Sequence, residues 1–311
     1  MLFFKKKPPF SKQLRITPPV PQANRHGVAV VTMLKDEETY IDEWLIFHQA
    51  AGIQHFIIYN DGSTDQTENI IKARLSPNEL TLVPWAGRLV DLAAGTQLNS
   101  QVLAVAHAIH NFGSAFRWMA FIDVDEFLLP KHGNTIEEAL EPVNGFPNVS
   151  LPWHMFGTGG HTKRPQGGVL RNYTMRAAKP IGTKKNITNF KCIFNPCAVS
   201  EVSVHHFETQ QYGSKTCNDA GKVFARKERI NPAFYSADNL QLNHYYTKSL
   251  EEFEAKIRKG PVSPGTHSMD EKRLQEVLEK RLRTALENIE SDLVEDNQIV
   301  DFIDKNQIFN I

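Results

Sequence analysis

Mostly apolar runs alternate with helical patterns along the first 125 residues: Val28 to Met33, Phe56 to Tyr59, Leu80 to Pro84 and Trp118 to Ile122. A run that stays apolar rather than alternating reads as a strand buried on both faces. After the first run, Tyr40, Ile41, Trp44, Leu45 and His48 fall three and four residues apart, and Gly52 ends that helix. Ser63 with Gln66, or Asp65 with Glu68, marks the start of a second helix running to about Leu75. A third is expected from Gln97 to Phe112. This alternation indicates a parallel sheet covered by helices, for which right-handed crossovers are nearly obligatory. Polar clusters stand just past the strand ends: Lys35-Asp36-Glu37, Asn60-Asp61 and Asp123-Val124-Asp125-Glu126. In open α/β sheets the ligand crevice lies outside those ends, so three acidic segments should converge on one cleft.

Beyond residue 145 the pattern changes to short extended runs: Asn148 to Trp153, Val169 to Met175, Ile187 to Ile193 and Val202 to His206. Helical signal returns from Ser249 to Lys259 and from Asp270 to Ile289. The expected division is a disordered basic and proline-rich lead-in (1–27), one catalytic-type domain (28–260, with halves 28–145 and 146–260) and a helical C-terminal extension (261–311). The 35 basic residues balance 35 acidic ones, which argues against an electrostatic nucleic-acid binder. Cys192, Cys197 and Cys217 are too few for a disulfide framework and contain no CxxC zinc spacing. No stretch approaches the ~20 apolar residues of a membrane span. A cytoplasmic location is therefore expected, with Lys5-Lys6-Lys7 allowing weak docking at an anionic membrane face. Three Asn-x-Ser/Thr triplets, at Asn148, Asn172 and Asn186, are read as chance.

The richest chemistry lies in Phe121-Ile122-Asp123-Val124-Asp125-Glu126-Phe127-Leu128. Carboxylates crowded at the tip of a buried strand repel one another and lose hydration, and a hard divalent cation such as Mg²⁺ or Mn²⁺ relieves both penalties. Alternation along an extended segment points Asp123 and Asp125 the same way. In Tyr59-Asn60-Asp61-Gly62-Ser63-Thr64-Asp65, Gly62 permits a tight turn and Asp61 could accept a hydrogen bond from an imide N–H such as that of uracil. An Asx-turn with a helix cap would explain the same residues without a ligand.

Taken in order, these segments resemble the glycosyltransferases of the GT-A fold, and within them family 92 and related family-2-like proteins. The resemblance rests on Val31-Thr32-Met33-Leu34-Lys35-Asp36-Glu37 with Glu43-Trp44-Leu45, on the two acidic motifs, and on Trp153-His154-Met155-Phe156-Gly157-Thr158-Gly159-Gly160-His161. Val204-His205 and Asn243-His244-Tyr245-Tyr246-Thr247-Lys248-Ser249 complete it. It covers roughly Val28 to Gly260. It implies a Rossmann-like mixed sheet flanked by helices and transfer of a sugar from a nucleotide donor, a UDP-sugar, to a carbohydrate acceptor hydroxyl, with inversion. It also implies Mn²⁺ or Mg²⁺ on the diphosphate. Asp36, Glu37, Asp61 and Asp123 would meet the nucleotide, and Asp123, Asp125 and His205 the metal. His244 is the runner-up ligand or phosphate contact, and belongs with Trp153, His154, Gly159 and His161 on the acceptor side. The motif carries Asn60 where many family-2 enzymes have an acid.

A general base is needed because a sugar hydroxyl has a very high pKa; Glu126, Glu201 and Asp219 are the candidates. Arg88, Lys179, Lys184 and Lys191 are candidates for helping the leaving group. Two other readings compete: a nucleotidyltransferase on a related sheet, and a silent sugar- or nucleotide-binding module. The former lacks the glycine-rich basic loop expected after the first strand, and the intact Asp123 and Asp125 speak for catalysis.

Overall fold

The structure, a computed structural model, describes residues 10–180, 189–259 and 271–309. Its centre is a mixed sheet whose first half follows the expected alternation: β1 (His26–Leu34), α1 (Ile41–Ala50), β2 (His55–Asn60), α2 (Thr67–Arg74), β3 (Leu80–Pro84), α3 (Ser100–Phe112) and β4 (Phe116–Phe121). The parallel order is β3-β2-β1-β4. The chain therefore winds outward from β1 on one side, then returns to its other side. The gap between the carboxyl ends of β1 and β4 is the topological switch point, where such sheets bind ligands.

The uninterrupted apolar runs have a simple cause: both faces of the sheet are covered. Successive strand residues point to opposite faces, so Val28 and Val30 join a core with Trp44, Phe47 and Phe56 from one side. Ala29, Val31 and Met33 join a second core with Val102, Val105 and Ile109 of α3 on the other.

Past β4 the sheet mixes antiparallel and parallel pairings. β5 (Glu126–Pro130), β6 (Asn148–Met155), β7 (Phe190–Phe194) and β8 (Leu240–His244) follow. β7 pairs with β4 and β6, while β8 pairs with β6 and β5. α1 clamps the start of β5. Trp44 Nε1 donates to the Glu126 carbonyl at 2.9 Å, and His48 Nε2 accepts from Leu128 N–H at 3.3 Å. Burial drives the His48 pKa down to about 3, so it is a neutral core histidine with both ring nitrogens engaged. α4 (Leu250–Lys259), α5 (Glu271–Ile289) and α6 (Gln298–Lys305) complete the helices used below.

Several expectations need correction. The lead-in forms two short strands from Phe10 onward: Phe10–Ser11 pairs with Thr96–Leu98, and Gln13–Arg15 with Val199–Ser203. Residues 1–9 lie outside the described residues. Glu126–Pro130 is a strand that the acidic cluster disguised. Val169–Asn172 is a helical turn rather than extended chain, because Glu43 accepts the Val169 and Leu170 N–H groups. The C-terminal part is no simple appendage: Ile299, Phe302 and Ile303 of α6 belong to the main core, with Phe302 against Phe47. Lys184, residues 187–188 of the expected Ile187 to Ile193 run, and the Asn186 triplet lie outside the described residues.

Candidate active site

A cavity of about 680 Å³ opens at the switch point. Asp36 and Glu37 follow β1 into it, Asp123 and Asp125 follow β4, and His244 ends β8 beside Asp125. One face of α4 closes it: Glu252, Ala255, Lys256 and Lys259 all line the space, at the three- and four-residue spacing that shares a helix face. Phe253 and Ile257 turn the other way into apolar packing.

The first two loops zip together. Asp36 takes a left-handed backbone (φ 51°), its N–H donates to Ser63 Oγ at 3.0 Å, and its Oδ1 accepts from Thr64 N–H at 2.7 Å. Glu37 N–H donates to Thr67 Oγ1 at 2.7 Å. Asn60 Oδ1 accepts from Ser63 N–H, and Asp65 caps the Thr67 N–H. Asn60, Ser63 and Asp65 thus do the turn-and-cap work weighed above. Asp61 is different. Its carboxylate is 3% exposed and holds Arg88 through two bonds of 2.9 Å, and it is not among the residues lining the cavity.

The acidic turn after β4 is shaped by Glu126, whose Oε2 accepts from Asp123 N–H at 2.7 Å. Glu126 is fully buried and Oε1 has no hydrogen-bond partner among the described residues. Burial, reinforced by the Asp123 and Asp125 charges and only partly opposed by Lys191, pushes its carboxyl up to about 8. Glu126 therefore builds the turn and has no access to a substrate. Lys191 rises from the middle of β7, 1% exposed, to reach Asp123 Oδ2 at 2.8 Å and Glu126 Oε2 at 3.4 Å. Asp125 Oδ2 meets Lys256 Nζ at 2.5 Å, and its Oδ1 faces His244 Nε2 at 3.5 Å. Burial alone would raise the Asp125 pKa, but Lys256 and His244 hold it well below the usual carboxylate value. Lys248, also lining the cavity, has its Nζ 4.1 Å from the Tyr40 ring centroid, and burial lowers its pKa. Lys259 donates to Glu37 Oε1 at 2.8 Å and to the Asp36 carbonyl at 2.7 Å. Burial lifts the Glu37 pKa despite that partner.

The structure thus gathers Asp36, Glu37, Asp123, Asp125, Trp153, His205 and His244 on one cavity. It leaves the others elsewhere. Glu201 lies on a strand opposite Arg15. Asp219 is buried and accepts the Asn239 and Leu240 N–H groups. His154 alternates to the face opposite Trp153, against Tyr235, with burial lowering its pKa to about 3. Gly159 and His161 belong to a turn beside Tyr173. None of the three expected bases reaches the cavity, and Glu37 is the lining carboxylate that burial makes more basic.

The expected metal set of Asp123, Asp125 and His205 is not assembled: among the described residues no three His, Cys, Asp or Glu side chains could hold an ion together. Asp123 is drawn to Lys191. His205 Nδ1 bonds the Phe190 carbonyl at 3.1 Å, and burial lowers its pKa to about 4. Yet Asp125 with His244 fits a small cation. Their 3.5 Å gap is long for a hydrogen bond. It is close to the roughly 3 Å or more between two donor atoms that share an ion at about 2.1 Å each. Mg²⁺-type ions commonly take one or two protein ligands and leave the rest to phosphate oxygens. Sequence reasoning missed Lys248, just before α4, and Lys256 and Lys259, whose helical spacing was visible, and held Lys191 only as a candidate for helping the leaving group.

Residues 25–283 match the family model described as glycosyltransferase family 92. A family 92 protein of Oryza sativa subsp. japonica is 30% identical over 212 residues, covering 64% of this chain and 33% of its own length. One from Arabidopsis thaliana is 26% identical over 204 residues, covering 60% and 32%. The chain thus spans about a third of the curated relatives it matches. Among solved structures, S. aureus TarS is 14% identical, covering 84% of this chain and 43% of its own, at a TM-score of 0.34. A likeness that loose carries no weight for the site.

Proposed function

Because the chain belongs to glycosyltransferase family 92, we propose that it moves a sugar from a UDP-sugar to the hydroxyl of a carbohydrate acceptor, with Mn²⁺ or Mg²⁺ on the donor diphosphate. The observation that carries this reading is the cavity itself. Acids from β1 and β4 meet lysines from α4 and its approach at the switch point. Such a mixture suits a ligand that is both anionic and hydroxyl-rich. Asp125 and His244 would hold the ion, which when bound neutralises negative charge on the departing diphosphate.

Lys248, Lys256 and Lys259 supply further positive charge around the same space. The lysines do not select a base, so that contact is assigned to Asp36, which lines the cavity after β1; Asp61, held by Arg88, does not line it. The aromatic faces of Trp153 and Tyr246, both on the wall, suit a sugar ring. Glu37 is assigned to accept the acceptor proton, since burial brings its affinity for protons toward the working range. Inversion follows if the acceptor attacks opposite the diphosphate.

The test is a thermal-shift screen of nucleotide sugars with and without Mn²⁺, followed by turnover assays. A ligand that binds only the folded state raises its melting point. A UDP-sugar that does so only with the cation supports the proposal. Equal, null responses to every nucleotide sugar count against it. Glu37→Gln is expected to keep donor binding and lose turnover; retained turnover removes Glu37 from the base role.

A further inference from the structure

The acids at the tip of β4 are each paired with a lysine, and the two lysines are free to different degrees. Lys191 is 1% exposed and mid-strand, with its ammonium held by Asp123 and Glu126 and lying 4.8 Å from the Phe121 ring centroid. It has nowhere else to go. Lys256 is 38% exposed on the cavity face of α4. Its ammonium donates to Asp125 Oδ2 at 2.5 Å and to the Tyr246 carbonyl at 3.3 Å, and lies 4.3 Å from the Tyr246 ring centroid. A lysine ammonium on a flexible four-carbon stem is a mobile point charge, and the open cavity lies beside it.

Asp125 is therefore claimed twice. One oxygen faces Lys256 and the other faces His244. A divalent cation seated at Asp125 and His244 would have to share the carboxylate with an ammonium already there, placing two like charges within a few ångströms. The ammonium can yield, because beyond Asp125 its direct contacts are a carbonyl and a ring face, with the Glu37 carboxylate attracting it and the Lys248 ammonium repelling it only at longer range. An anionic diphosphate in that cavity offers it a new partner.

We propose that Lys256 is an exchangeable counter-ion of Asp125. It neutralises the carboxylate while the cation is absent, and transfers to the nucleotide diphosphate when the cation arrives. Cation and nucleotide then each bind more tightly in the presence of the other, by the same factor whichever is added first. The identity of the anion rests on the glycosyltransferase reading above; the competition on Asp125 does not.

The test titrates Mn²⁺ alone into the full chain, with free ion read by electron paramagnetic resonance, for wild type, Lys256→Met and Lys256→Arg. UDP is titrated separately with the metal chelated, and again with Mn²⁺ present. Lys256→Met is expected to bind Mn²⁺ about tenfold more tightly than wild type and to bind metal-free UDP more weakly, with the coupling factor reduced. Lys256→Arg, which keeps the charge, is expected to stay near wild type for Mn²⁺. Equal or weaker Mn²⁺ binding by folded Lys256→Met overturns the exchange, as does failure of every form to bind Mn²⁺. Tighter Mn²⁺ binding with no nucleotide response upholds competition at Asp125 while removing the donor reading. Nucleotide binding with unchanged Mn²⁺ affinity does the reverse.

Discussion

The Lys191–Asp123 and Lys256–Asp125 pairs join the same two chemical groups at similar distances, 2.8 and 2.5 Å. Their acids, Asp123 and Asp125, sit two positions apart on the same turn. What separates them is solvent. Lys191 is sealed behind β4 with two carboxylates and an aromatic face around it, whereas Lys256 stands on a helix surface bordering the cavity. A buried ammonium stripped of a partner leaves uncompensated charge; a half-exposed one finds water. Burial thus makes one pair part of the frame and leaves the other free to take part in binding.

Breaking the sealed pair should cost most. Lys191→Met leaves Asp123 and Glu126 facing each other and is expected to destabilise the fold by roughly 3 kcal/mol, read as a lowered denaturation midpoint. Lys256→Met should change the same midpoint by less than about 1 kcal/mol. Equal losses would erase the distinction. The Asp61–Arg88 pair is an intermediate case, with side chains 3% and 18% exposed. Arg88→Met is expected to cost roughly 2 kcal/mol, placing it between the two.

A separate effect concerns pH. Glu126 titrates near 8 when folded against an ordinary 4.5, so the folded chain keeps a proton that the unfolded chain releases. That contribution is complete below about pH 4.5 and is lost as pH rises toward 8. Glu126→Gln has no such proton. The stability advantage of wild type over this variant should therefore shrink steadily between pH 5 and 8, in parallel denaturation curves. An advantage that grows with pH would mean Glu126 is ionised in the fold.

The parallel half of the sheet was legible because strands buried on both faces leave continuous apolar runs, and Asp123 and Asp125 were legible because acids at the end of such a run are costly. The missed features depend on distant partners. The helical turn at Val169–Asn172 is capped by Glu43, 126 residues earlier in the chain from Val169. The strands before β1 pair with residues 96–98 and 201–203. Lys191 looks like any strand lysine until the fold carries Asp123 and Glu126 to it, and Glu201 and Asp219 looked available until pairing and capping claimed them. The α4 lysines are a partial exception, since their spacing alone could have placed Lys256 and Lys259 on one face.

The central claim is that Asp125, at the switch point, anchors the cation through which the diphosphate is held. Calorimetric titration of UDP with Mn²⁺ into wild type and Asp125→Ala tests it most directly, with circular dichroism to verify that the variant is folded. The account predicts measurable binding by wild type that depends on Mn²⁺, and a loss of at least about tenfold in the variant. Unchanged affinity in a folded Asp125→Ala would contradict it.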